Sequence, residues 1–141
     1  MEEMEVKQYV VGPVATNCYF VIHKKTKEML LIDPGASREA LAEKIKQEGL
    51  HPVAILLTHG HFDHASEAAG LAEMFHIFVY ASEDEKETLE SPGRNLSTVM
   101  KGHTERYRAD RYLKDKEKVN RAGFDIQVLC TPGHTPGGCC Y

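Results

Sequence analysis

Four residues able to bind a metal ion fall within six positions of one another: His59, His61, Asp63 and His64, in the run Thr58-His59-Gly60-His61-Phe62-Asp63-His64. Imidazole nitrogens suit zinc, iron or manganese, and a carboxylate adds a hard anionic donor. The run follows directly on the apolar stretch Val53 to Leu57. Loops at the C-terminal ends of strands are where α/β proteins place their sites. Successive side chains of an extended segment alternate in direction. His59, His61 and Asp63 thus point the same way while the segment stays extended, and Gly60 removes bulk between the first two. His64, at the start of a helix, turns toward the same region from another direction.

A second arm is Thr131-Pro132-Gly133-His134-Thr135-Pro136-Gly137-Gly138, which follows the apolar strand Ile126 to Cys130. Gly133 and the prolines make a rigid bend that can aim His134 at the first cluster. With His59 and His61 it completes a three-histidine set. Such a set leaves one position for water, the form of a catalytic rather than a structural zinc site.

The elements that must position these residues read as an alternation of strand and helix. Val6 to Val10 is a strand. Asn17 to His23 and Met29 to Asp33 form a pair joined by the polar turn Lys24 to Lys27. In Asp33-Pro34-Gly35, Pro fixes one φ and Gly permits the left-handed conformation. Ser37 caps a helix running to about Glu48, with Leu41 and Ile45 on one face and Gly49 as the stop. Val53 to Leu57 is an uninterrupted apolar strand, covered on both faces. Ala65 to Phe75 is a helix of small residues, Ile77 to Tyr80 the next strand, and Ser82 with Glu85 a capping box for a short acidic helix. Ser91 to Tyr112 reads as an irregular surface excursion, and His103 within it as a solvated side chain. Lys118 to Gly123 is a turn entering the strand Phe124 to Cys130. Cys139, Cys140 and Tyr141 open a further strand, where the two thiols pack as small apolar side chains.

The length of 141 residues suits one domain, residues 1–141, and the 42% of apolar residues suffices for a core. A net charge of -4 with scattered Lys and Arg speaks against nucleic acid as a partner. The densest basic stretch, His23 to Lys27, reads as a solvated turn. No apolar run is long enough to span a bilayer, and Met1 to Glu5 is not a signal peptide. The cysteines Cys18, Cys130, Cys139 and Cys140 lack C-x-x-C spacing. Reduced thiols in a cytoplasmic protein are the simplest reading.

H-G-H-F-D-H after one strand, T-P-G-H-T-P-G-G after another, and L-I-D-P-G at Leu31 to Gly35 together resemble the metallo-β-lactamase superfamily. Within it the chain is most similar to the hydroxyacylglutathione hydrolase (glyoxalase II)-like branch, which Thr16-Asn17-Cys18-Tyr19 also resembles. The resemblance implies an αββα sandwich. It implies that His59, His61 and His134 hold a first metal and Asp63 and His64 a second, with Asp33 behind them orienting a ligand. The metal is zinc, one or two per chain, with iron or manganese as alternatives. Paired cations would lower the pKa of a shared water and polarise a carbonyl. Asp63 would orient that water or take a proton. The substrate expected is a small molecule, a thioester foremost, with lactones, amides and phosphodiesters open. β-Lactams are disfavoured because no export signal is present, and RNA because no basic surface is visible.

Only seven residues follow His134. The family's bridging aspartate and last histidine lie beyond that point, so the resemblance implies an incomplete C-terminal half. A strand starting at Cys139 would then have an unpaired edge, and self-association through it is expected. Two other functions stay open: an iron-dependent persulfide dioxygenase, and a non-catalytic metal-binding remnant.

Overall fold

The computed structural model describes residues 3–102 and 104–141, so the reading of His103 lies outside the described residues. Strands β1 (Met4–Val11), β2 (Thr16–His23) and β3 (Glu28–Ile32) form an antiparallel meander. The sheet then turns parallel, adding β4 (His51–Leu56), β5 (Phe78–Ser82) and β6 (Arg111–Leu113) in chain order. Parallel neighbours need a crossover. Helix α1 (Arg38–Gln47) supplies it between β3 and β4, and α2 (Phe62–Ala65) with α3 (Ala68–Phe75) supply it between β4 and β5.

The two-residue period of a strand divides the core. Phe20, Leu31, Ile55 and Val79 face the helices, where Leu41, Ile45 and Leu71 meet them. Leu30, Ala54, Leu56 and Tyr80 face the other way. There they meet Phe124, Ile126, Val128 and Cys139, from the hairpin β7 (Lys118–Arg121) and β8 (Phe124–Gln127) and the pair β9 (Leu129–Cys130) and β10 (Cys139–Cys140). The result is helices, a six-stranded sheet, and a partial second layer of strands. Among the described residues, no helix buries apolar side chains against that second layer, and β10 pairs with β9 alone.

Several local expectations need correction. Ser37 precedes α1, but its backbone is left-handed (φ 61) and its side chain makes no capping bond. At the other end Gly49 (φ +64) does stop the helix. Its N–H donates to Lys46 and that of Leu50 to Ile45, a Schellman closure. In the turn after β3 it is Asp33 that adopts the left-handed conformation (φ 53), not Gly35. Gly35 is required for another reason: a Cβ there would lie 1.5 Å from the carbonyl oxygen of Asp63. The helix expected over 65–75 breaks at Ser66 and Glu67, because the Glu67 N–H donates to Pro34 O (3.0 Å) and anchors that same turn.

Further along, the Ser82 hydroxyl accepts from Asp84 N, but Glu85 does not reach back; it turns inward and is 1% exposed. Three residues of 3-10 helix (Glu83–Glu85) precede α4 (Lys86–Glu90). The stretch after α4 holds a short helix, α5 (Ser97–Lys101), and the sixth strand, and it is organised from within. Asn95 is wholly buried, its amide donating to the carbonyls of Leu89 and Glu105 and its oxygen accepting from Ser97 N. Lys118 to Arg121, expected as a turn, is a strand with an exposed polar face; Ala122 and Gly123 (φ 56 and 79) make the turn. The strand expected over Phe124 to Cys130 is divided at Val128. Cys139 is buried as expected, whereas Cys140 is exposed.

Candidate metal site

The buried strand β4 ends at Leu56, and the chain bends at Thr58 and again at His61, whose own backbone angles (φ -69, ψ 149) are those of an extended residue. The bent loop still brings His59 and His61 together, their ring centroids 5.1 Å apart. Strand alternation does not carry Asp63 with them, because the helix begins at Phe62 and both Asp63 and His64 lie on α2. The loop of His134 is closed at its base, Thr131 N–H donating to Gly138 O (2.8 Å), and Cys139 N–H donates to Thr58 O (2.8 Å). This last bond fastens the second arm to the root of the first.

The arms converge. One nitrogen from each of His59, His61 and His134 lies within 4.8 Å of the others, and so do ligand atoms of His59, Asp63 and His64. The His134 ring stands edge-on to those of His59 and His61, with centroids 4.9 and 4.7 Å away. The rings thus surround a point rather than stack. His59 and His61 are half-buried and His134 is exposed, so the point is open to solvent on one side.

Asp33 sits beneath, 3% exposed. It accepts from Thr58 N (2.8 Å) and the Thr58 hydroxyl (2.5 Å), and its Oδ2 is 2.8 Å from His64 Nδ1. A carboxylate can only accept, so Nδ1 of His64 carries a proton, and Nε2, 3.4 Å from Asp63 Oδ2, is the nitrogen turned toward the site. The Thr58 hydroxyl, already donating to Asp33, can only accept from His59 Nδ1 at 3.2 Å. His59 is thereby set to present Nε2. Behind Asp63, the buried Thr16 hydroxyl donates to Oδ2 at 2.6 Å.

The electrostatics suit cation binding. Burial, then the neighbouring imidazoles of His64, His61 and His134, push His59 down to about 3. Burial and His134 lower His61 as well. Both are neutral at pH 7 with lone pairs available, as a metal requires. Burial alone would lower His64, but the hydrogen bond and charge of Asp33, with Asp63, outweigh it and hold this ring above its ordinary value.

Asp33 stands out in the sequence as a site residue, whereas Thr16 and Thr58 do not and Glu85 reads there as half of a capping box. Thr58 adjoins a ligand candidate at a strand end, a usable signal. Nothing in the spacing marks the other two.

Residues 11–141 match the family model of the metallo-beta-lactamase superfamily. The chain belongs to this superfamily. It is 35% identical over 139 residues to the probable metallo-hydrolase YqgX of Bacillus subtilis, covering 98% of this chain and 65% of that protein. It is 30% identical to the hydroxyacylglutathione hydrolase GloC of Haemophilus influenzae, over 95% of this chain and 64% of that one. Among solved structures, the BLEG-1 B3 metallo-beta-lactamase superposes with a TM-score of 0.88 at 37% identity, over 96% of this chain and 65% of that one. The di-iron-bound form of TTHA1623 gives 0.75 at 33% identity, over 94% and 64%. The chain thus spans just under two thirds of the length of these relatives. The mixed α/β architecture is the metallo-β-lactamase fold.

Proposed function

We propose that the chain is a zinc-dependent hydrolase acting on thioesters of small acylated thiols. The observation that carries the reading is the convergence of His59, His61 and His134 within 4.8 Å, two of them neutral and one with its free nitrogen set by Thr58 and Asp33. Three imidazoles with one side open are the donor set of a catalytic zinc site. His59, His61 and His134 would hold a first cation, and Asp63 and His64 a second. A bound cation supplies Lewis acidity, lowering the pKa of water and polarising a carbonyl.

The remaining work falls to the chain. Thr16 holds Asp63 in one orientation, so that its carboxylate can take a proton from attacking water and return one to the departing thiolate. Asp33 holds the ring of His64 through Nδ1. The open side beside His134 admits the substrate. Similarity to GloC supports a thioester over other acyl compounds. The partner is thus a small molecule, with neither nucleic acid nor membrane. Among the described residues no helix is long and apolar enough to cross a membrane. Four free cysteines favour the cytoplasm.

Iron is the alternative cation, favoured by the likeness to TTHA1623. With iron, oxidation of a persulfide is the competing reaction, and oxygen uptake separates the two.

The test is loss of thioester absorbance when the purified, zinc-loaded chain meets a glutathione thioester of a 2-hydroxy acid. Turnover abolished by His59→Ala supports the reading. Cleavage of a β-lactam in its place would overturn the substrate class, and inactivity toward every ester, amide and lactam would overturn the hydrolase.

A further inference from the structure

Glu85 is the most completely buried acid of the described residues, at 1% exposure, and no cation is paired with it. Burying a carboxylate without compensation is costly. The compensation here comes from three donors on two loops. Oε2 accepts from Gly60 N (2.5 Å) and from the Thr135 hydroxyl (2.8 Å), and Oε1 accepts from Gly137 N (3.0 Å). Gly60 stands between His59 and His61, and Thr135 adjoins His134. The two loops are some seventy residues apart in the chain, and one carboxylate grips both.

The packing leaves little freedom for another arrangement. A Cβ at Gly137 would lie 2.2 Å from the backbone carbon of Asp84, and one at Gly60 would lie 3.0 Å from Leu89. Both loops lie against the turn and helix that carry Glu85 because both are glycine at the point of contact.

We propose that Glu85 is a positioning residue for the metal site: it holds the His59–His61 loop and the His134 loop in register, so that three imidazoles converge before any cation arrives. The inference rests on the metal-site reading above. It assigns the inward glutamate to the role that outer partners play around metal ligands, fixing donors that must otherwise be ordered at binding.

Glu85→Gln is the decisive variant. An amide keeps the shape, but its NH2 faces a donor whichever way it turns, so at least one of the three bonds is lost. Cobalt(II) affinity, read by competition with a chromophoric chelator, is expected to fall about 10- to 100-fold, with a changed visible cobalt spectrum. Thr135→Val, which removes one bond and leaves Glu85 in place, falls between. Ile45→Ala, a core truncation remote from the loops, lowers the melting temperature without moving the cobalt spectrum. Parental affinity and spectrum in folded Glu85→Gln would overturn the proposal. Should the parent bind no cobalt, the metal reading fails by itself, and amide exchange of the metal-free protein still judges Glu85. Protection at Gly60 and Gly137 that is lost in Glu85→Gln supports the grip; protection that persists overturns it.

Discussion

Removing metal from this site should leave a protein that acid destabilises through one particular histidine. His59 is held at about 3 in the folded chain, first by burial and then by His64, His61 and His134. In the unfolded chain it titrates near an ordinary value of about 6.5. The folded value is the lower one, so the contribution is fully present above about pH 6.5 and is lost as pH falls toward 3. Below 6.5 the unfolded state takes up a proton that the folded state refuses. At about 1.4 kcal/mol per pH unit the loss reaches about 2 kcal/mol by pH 5. Solvent reaches this half-buried ring, which reduces the figure to roughly 1–2 kcal/mol. His61, lowered in the same way, adds to the loss. His64 opposes it: its folded value is raised, so its contribution is present below the unfolded value and lost as pH rises through the folded one.

His59→Gln isolates the effect. The substitution keeps a polar side chain of similar size that does not titrate. The lost contact with Thr58 counts equally at both pH values and cancels in the difference. Urea unfolding of chelator-treated parent and variant, at about pH 7.5 and about pH 5, should show the parent losing roughly 1–2 kcal/mol more than the variant on acidification. Equal losses would refute the claim that burial and the neighbouring imidazoles keep His59 uncharged.

Gly35→Ala should cost at least about 3 kcal/mol by urea unfolding, because its Cβ would fall 1.5 Å from the Asp63 carbonyl and the turn or α2 must move. A variant as stable as the parent would mean the two segments do not touch as described. Asp33→Asn should leave the fold intact but lower zinc affinity about 10- to 100-fold, since the tautomers of His64 and His59 lose their common anchor; calorimetric titration decides it. Iodoacetamide near pH 8 should label exposed Cys140 and spare Cys18 and Cys139, whose thiols burial pushes up to about 12 and about 11. Rapid labelling of Cys18 in the folded protein would contradict its place in the core. The chain should self-associate as concentration rises, because β10 pairs with β9 alone among the described residues and Leu129 is exposed. A single monomeric species in sedimentation velocity, melting cooperatively at high temperature, would count against it.

What was legible in the sequence is what local pattern controls. The strands β2 to β5 are apolar runs or alternations bounded by turns, and α1 carries its stop at Gly49, so these elements emerge nearly at their observed limits. β7 was missed because only Val119 of its four residues is apolar and it pairs through its backbone at an exposed edge. β6 was missed because three residues are too few for a period to show. The break between α2 and α3 has no local cause. Its origin is the carbonyl of Pro34, more than thirty residues earlier, which takes the Glu67 N–H.

The same division runs through the site. The histidines were visible because their types and spacing are themselves the chemistry. What makes them converge was not, because it is written in residues with ordinary local readings. Glu85 stands three residues after Ser82 and so looks like half of a capping box. Only the fold reveals that its three partners lie at positions 60, 135 and 137. Thr16 stands just before the strand expected from Asn17, yet its hydroxyl belongs to Asp63, 47 positions away. Asp33 lies between these extremes: a turn aspartate by composition, but placed after a buried strand, where a side chain can reach the next strand's end. A carboxylate is acceptor-only, so one buried at such a place must gather donors, and here it gathers Thr58 twice and His64 once. Each of these contacts orders a ligand-bearing segment before a cation is present. A cation therefore meets donors already gathered, and less of its binding energy is spent on ordering them.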